Sequence, residues 1–429
     1  MSLLVLALEN LLFPLGAVAV VLRFLFSPRR SVLLSLREEL SERFGGVSDE
    51  SLEKLAGRRV VWIHAASAGE VAAVSGLLER ITAGGEPPAV IMTTTTMTGR
   101  EKAKLLPKVD VAMLAPLDCY PAVARFLGSV KPAALILVET ELWPQMLSLA
   151  FERGVRIGLA NARMTERSFS RYRLLSFLAR PFLSKIERIC AQTETDAQRF
   201  KTVGAVPAAV RVVGNMKYDR VKTPSKDPEI ISRIAAMGWD KDPIWVAGST
   251  HPVEEDILLA AFELARERFP SLRLVLAPRH PERAAQAAQT LKDAGLACRT
   301  WSQEPGKADC LLLDGLGVLP RFYGYASVSF VGGTLVPVGG HNLLEPAIAG
   351  SPVLFGPHTE HTSEVARLLS SAGCGLCVED AKTLASALCD LLADPDRRLA
   401  LGRQARQISE GLQGAIDRTF KHLSPLLAR

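Results

Sequence analysis

One feature constrains this chain more than any other: short, almost uninterrupted apolar runs alternate with segments of helical periodicity along most of its length. Residues 59–64 read as a buried strand, with 71–80 as the helix after it, and residues 89–92, 134–138 and 156–159 repeat the strand signal. The rhythm returns at 244–247, 272–277, 310–313, 327–331 and 352–355. A strand that stays apolar instead of alternating is covered on both faces, which indicates parallel sheets sandwiched between helices. The pattern breaks at 218–243, where charges and Pro224, Pro228 and Pro243 intervene. The expected fold is therefore α/β, with two Rossmann-like doubly wound domains facing each other across a cleft. A chain of 429 residues suits two such domains. With 48% hydrophobic and 22% charged residues, a disordered chain is excluded. Ligands of such sheets bind beyond the C-terminal strand ends, so the motifs are read there.

The N-terminus differs in kind. From Ser2 to Leu22 only Glu9 and Asn10 interrupt an apolar stretch, and Arg23, Arg29 and Arg30 follow. About 20 apolar residues span a bilayer, and flanking arginines stay on the cytoplasmic side. Residues 1–29 are read as a membrane anchor that leaves the remainder in the cytoplasm. The net charge of +6 suits an anionic partner without choosing one. Of seven scattered cysteines only Cys374 and Cys377 form a CxxC, and with no second pair they read as two buried thiols rather than a zinc site.

The strongest local signal in the second half is Val331-Gly-Gly-Thr334 through Val338-Gly-Gly-His-Asn-Leu-Leu-Glu-Pro346. A strand runs into a glycine-rich loop that includes Gly340, and a helix is expected near Asn342. Glycines allow close approach of a ligand, the amides of a helix start attract phosphate, and Glu345 can accept hydrogen bonds from ribose hydroxyls. The GK[ST] ending of a P-loop is missing. Two other strand ends point the same way: Arg279-His280, whose guanidinium suits bidentate phosphate contact, and Gly248-Ser249-Thr250-His251. Together they indicate a nucleotide phosphate site.

The first half carries acid–base chemistry. Ser67-Ala-Gly-Glu70 presents a carboxylate at a helix start, where it is either a favourable dipole contact or a proton acceptor for an attacking hydroxyl. Glu139-Thr-Glu141 follows another strand, and Thr93–Thr96 line a third strand end with hydroxyls. Between Asn161 and Cys190, Arg163, Arg167, Arg171, Arg173, Arg180, Lys185 and Arg188 are interleaved with Phe169, Leu174, Leu175, Phe177, Leu178 and Phe182. That mixture suits an anionic membrane surface or a phosphorylated lipid, with a solvated helix face as the plain alternative.

From the anchor to the C-terminal region the chain resembles the Kdo (3-deoxy-D-manno-octulosonic acid) transferases of Gram-negative lipopolysaccharide synthesis. The matching strings are His64-Ala-Ala-Ser-Ala-Gly-Glu70, Thr93-Thr-Thr-Thr-Met-Thr-Gly99, Glu139-Thr-Glu-Leu-Trp-Pro144 and Asn161-Ala-Arg-Met-Thr-Glu-Arg-Ser168. They continue with Gly214-Asn-Met-Lys-Tyr-Asp219, Ala247-Gly-Ser-Thr-His251, Ala277-Pro-Arg-His-Pro281 and Gly339-Gly-His-Asn-Leu-Leu-Glu-Pro346. The resemblance implies a GT-B enzyme that transfers Kdo from CMP-Kdo to a lipid A precursor, with inversion and without cofactor or metal. It implies Glu70 as general base, and Ser249, Arg279, His280, Gly340, Asn342 and Glu345 around the CMP donor. Ser67, Thr95, Glu139, Glu141, Arg163 and Lys217 would support the acceptor side, and Lys217 or a neighbouring basic group would meet Kdo's carboxylate. Residues 30–222 would bind the acceptor and 223–429 the donor, on the cytoplasmic side of the inner membrane. A sugar-nucleotide epimerase shares the two-domain plan but has no use for the anchor or the basic-apolar stretch. A non-catalytic lipid-binding protein has no use for Glu70 with Arg279. Nucleic acid is disfavoured, because the basic residues follow an apolar face and no recognition module is present.

Overall fold

In the computed structural model, which describes residues 39–428, the chain forms two compact units. Residues 39–219 with 413–428 make the first, and Arg220–Leu412 the second. The sequence division fell within a few residues of the first crossing, but it put the C-terminal residues with the wrong sheet. The expected anchor at residues 1–29 lies outside the described residues. Among the described residues no helix is long and apolar enough to cross a membrane.

The first unit holds seven parallel strands: β1 (Val60–His64), β2 (Ala89–Thr94), β3 (Val111–Leu114), β4 (Ala134–Val138), β5 (Arg156–Ala162), β6 (Arg188–Ala191) and β7 (Val210–Val212). Their order is β3-β2-β1-β4-β5-β6-β7. The second holds β8 (Ile244–Thr250), β9 (Arg273–Pro278), β10 (Cys298–Thr300), β11 (Cys310–Leu312), β12 (Val328–Val331), β13 (Val353–Phe355) and β14 (Gly375–Cys377), ordered β10-β11-β9-β8-β12-β13-β14. β1, β2, β4 and β12 are buried at every position, which is why they read as continuous apolar runs. Each sheet therefore has an apolar layer on both faces.

Strand order locates the sites. In the first sheet the winding reverses between β1 and β4, and in the second between β8 and β12. Loops leaving two such strands on opposite faces open a crevice at their C-terminal ends. The residues after β1 and β4 include Glu70, Glu139 and Glu141, and those after β8 and β12 include His251 and the glycine loop.

The helix Ala415–Leu427 packs on the first sheet. Asp219 accepts hydrogen bonds from the amides of Ala415 and Ile416 at 3.1 and 2.7 Å, fixing its start. Leu423 and Leu426 are fully buried against Gly158 of β5, where an added Cβ would stand 2.8 and 2.7 Å from their methyls. Gly158 is thus a socket, small because two leucines need the space. Removing a buried leucine side chain costs roughly 2–5 kcal/mol. Leu423→Ala should therefore weaken the first unit by about 3 kcal/mol, read by native-state hydrogen exchange as lost protection of the β5 amides. Unchanged protection there would make the helix a peripheral addition.

Candidate active site

In the first unit, Ser67 caps the helix Ala68–Ile81 and Glu70 stands in its first turn. The Glu70 carboxylate accepts a hydrogen bond from the Ala66 amide at 2.8 Å and one from the Ser67 hydroxyl at 2.9 Å. Burial nevertheless pushes its pKa up to about 7, with Glu139 and Glu141 adding repulsion against those two hydrogen bonds. A half-buried carboxyl poised near neutrality can accept a proton at physiological pH, whereas one at its ordinary value is too weak a base.

The two neighbouring acids are held separately. Glu139 adopts a left-handed backbone with φ of 63°, and its Oε1 accepts a hydrogen bond from Lys217 Nζ at 2.6 Å. Lys217, expected to meet a donor carboxylate, is thus already ion-paired within this unit. Glu141 accepts a hydrogen bond from Trp143 Nε1 at 2.7 Å and lies 3.7 Å from Nε2 of the fully buried His64. Burial raises the Glu141 pKa, but His64 and Trp143 outweigh it and the net direction is downward. The Thr140 hydroxyl between them donates to the Arg163 carbonyl, tying the turn to the end of β5.

The threonine run is mostly spent on structure. Thr93 accepts from Trp62 Nε1 at 2.8 Å and contacts His64 Nδ1 at 3.0 Å. Thr94 donates to the Thr96 carbonyl, and Thr96 caps the next helix. Thr95 is left with a buried hydroxyl that has no hydrogen-bond partner among the described residues. Sequence reasoning missed Asp118, which accepts from the amides of Gln145 and Met146 and fixes the helix start behind Glu141. Burial raises its pKa to about 6 against those amides.

In the second unit the residues expected to bind the donor gather at the ends of three adjacent strands, β9, β8 and β12. Ser249 is strained, with φ of 57°. Arg279 is exposed, and its guanidinium makes no ion pair or hydrogen bond among the described residues. The His280 ring packs edge-on, 6.4 Å from the His251 ring. Asn342 donates from Nδ2 to Glu345 at 3.0 Å, and burial raises the Glu345 pKa against Asn342 and Arg279.

The glycine loop departs from the expectation. Glu254, fully buried, accepts hydrogen bonds from four backbone amides: Gly333 at 2.7 Å, Thr334 at 2.9 Å, Leu335 at 2.8 Å and His251 at 3.1 Å. The amides after β12 that would have cradled a phosphate are therefore occupied by the protein's own carboxylate. The helix that follows starts at Leu344, near Asn342 as expected and with Glu345 in its first turn, but it runs only to Ile348, so its dipole contributes little. Two histidines of the quoted motifs meet in a way the sequence did not indicate: His251 and His341 face each other Nε2 to Nε2 at 2.9 Å, with rings parallel within 4°. Burial lowers both pKa values, His341 to about 4, with Arg279 and neighbouring histidines adding to the effect.

Among the described residues no group of three or more potential ligands could hold a metal ion. Cys374 is buried but Cys377 is exposed, and both are free thiols.

Residues 38–220 match the family profile of 3-deoxy-D-manno-octulosonic acid transferases (kdotransferases). A transferase of that name from Haemophilus influenzae is 34% identical over 92% of both chains. The chain belongs to the Kdo transferase family. A Bordetella pertussis relative of the same name is 35% identical over 86% of this chain and 87% of its own. A Rickettsia africae glycosyltransferase structure matches with a TM-score of 0.56 at 12% identity, covering 86% of this chain and 98% of that one. That structural likeness establishes the fold alone, a GT-B-like pair of parallel sheets.

In this transferase, Glu254→Gln would turn an amide NH₂ toward backbone N–H groups. Leaving a buried donor unsatisfied costs about 1–3 kcal/mol, and more is lost where the bonds are to a charge. Glu254→Gln should destabilise the second unit by about 3 kcal/mol, read as an earlier thermal transition. A variant as stable as the parent would show that the four bonds are replaceable.

Proposed function

We propose that this transferase moves Kdo from CMP-Kdo onto a lipid A precursor, by one displacement that inverts the anomeric carbon. The observation that carries the reading is Glu70, a carboxyl held at a strand-order reversal with its pKa raised to about 7. The acceptor hydroxyl gives its proton to Glu70 as its oxygen bonds to the anomeric carbon. The bond from that carbon to the phosphate oxygen breaks, and the electron pair leaves with CMP. Glu70 is the catalytic residue, and Ser67 positions it. Arg279 meets the phosphate, with Ser249, His280 and Gly340 beside it, and the Asn342–Glu345 pair receives the ribose. No step calls for a metal.

The acceptor reading rests on the helices Glu166–Leu174 and Ser176–Leu183. Leu174, Leu175 and Phe177 are exposed there among Arg167, Arg171, Arg173 and Arg180. Exposed apolar groups among arginines suit an anionic lipid surface, consistent with work at the cytoplasmic face of the inner membrane.

Transfer from CMP-Kdo to a tetraacylated lipid A precursor, followed by product mass, tests the reading. Glu70→Gln should lower the rate by roughly 10²–10⁴-fold and leave CMP binding intact. The parent rate should rise as pH climbs through about 7, because only the ionised carboxylate accepts a proton. A rate indifferent to Glu70→Gln would move the base to Glu139 or Glu141.

The same shift has a sign for stability. A carboxyl whose pKa is raised by folding costs stability once ionised, and the cost grows from the unfolded value through about pH 7. Glu70→Gln should therefore unfold at a higher temperature than the parent at pH 8 and at an equal one at pH 4. A lower temperature at pH 8 would mean that Ser67 and Ala66 stabilise the charge more than burial opposes it.

A further inference from the structure

We propose that His251 and His341 form a one-proton counter-charge for the donor's phosphate: the pair takes up a single proton when the phosphate binds. The proposal rests on the donor-site reading above and adds what the two imidazoles do there.

The capacity follows from the geometry. With Nε2 facing Nε2 at 2.9 Å, one ring must donate and the other accept. A neutral pair satisfies this when the donating ring carries its proton on Nε2 and the accepting ring on Nδ1. One further proton can enter at Nδ1 of the donating ring, leaving the N–H···N bond unchanged. A second would put N–H groups on both facing nitrogens and break the bond. The pair therefore titrates as a unit with room for one extra proton.

The surroundings hold that place empty until an anion arrives. Arg279, Arg283, His280 and His361 all disfavour a charged imidazole at this point. Glu254 is the opposing acid, and its carboxylate is committed to four amides. Glu255 is engaged by Arg283 at 3.1 Å and by the Thr250 hydroxyl at 3.0 Å. The exposed Glu282 lies 3.6 Å from His280 Nδ1 and pairs with that ring rather than with His251 or His341. Gly333 keeps His341 in place, since a Cβ there would stand 3.0 Å from its Nε2.

The chemistry gives the proton a purpose. A sugar nucleotide's phosphodiester carries one negative charge, whereas a released phosphate monoester, with its second pKa near 6, carries nearly two at neutral pH. A protonated pair offsets the charge that appears on the phosphate as the glycosidic carbon departs. The acceptor's proton goes to Glu70, so the two protons are separate and both sides balance.

Calorimetric titration of the full chain with CMP at pH 7.5, in two buffers of different ionisation enthalpy, counts the protons. About one proton should be taken up per CMP bound, and the Kd should rise about tenfold per pH unit above neutrality. His341→Gln and His251→Gln should each still bind CMP, more weakly, and with uptake close to zero. Binding without uptake by the parent, or equal uptake by both variants, would overturn the proposal and leave the donor site standing. No CMP binding by the folded parent at any pH would remove the donor reading and this proposal together.

Discussion

Four backbone amides converge on the Glu254 carboxylate, and the second unit's site depends on that convergence. Two oxygens in a dry interior draw the end of β12 and the start of the helix Pro252–Arg268 to one point. The glycine loop acquires a fixed path that it could not hold by side-chain packing, since Gly332 and Gly333 have none. The same carboxylate consumes the donors that a phosphate would otherwise use. The side chains that stand at the same strand ends are Arg279, His280 and the His251–His341 pair.

The first unit uses the same device for a different end. Asp118 collects the amides of Gln145 and Met146, Asp196 that of Met164, and Asp219 those of Ala415 and Ile416. Asp118 fixes the helix start just after Glu141, whereas the helix that carries Glu70 is capped by Ser67. Lys217 and His64 then engage Glu139 and Glu141, whereas Glu70 receives only neutral hydrogen bonds. Burial acts on Glu70 against those two neutral hydrogen bonds alone, and its pKa rises. The division of labour among three carboxylates is set by which of them is given a partner.

Much of this was legible in the chain because the signals were local. Continuous apolar strands gave β1, β2, β4, β5, β8, β9, β11, β12 and β13, and the motifs at their ends gave Glu70, Arg279 and Glu345. β7 and β10 were missed because an arginine interrupts each three-residue strand, as in Val-Arg-Val and Cys-Arg-Thr; β3, β6 and β14 were not singled out either. The Glu254 role had a faint signal, its position three residues after the His251 N-cap, but the partners that define it lie about eighty residues away. The His251–His341 contact is more distant still. No local pattern states which sheet an amphipathic C-terminal helix will cover, and Gly158 acquires its meaning only once Leu423 and Leu426 are seen above it.

That helix has a bearing on how the protein is made. The first unit is discontinuous, and the helix that completes it is synthesised only after Arg220–Leu412. While Arg220–Leu412 is being synthesised, at roughly 5–20 residues per second, the first sheet waits on the order of 10 s with the Gly158 surface uncovered. A nascent chain halted at Leu412 would have its second unit entire and its first unfinished. A chain cut after Leu412 therefore fails in the unit that began folding first.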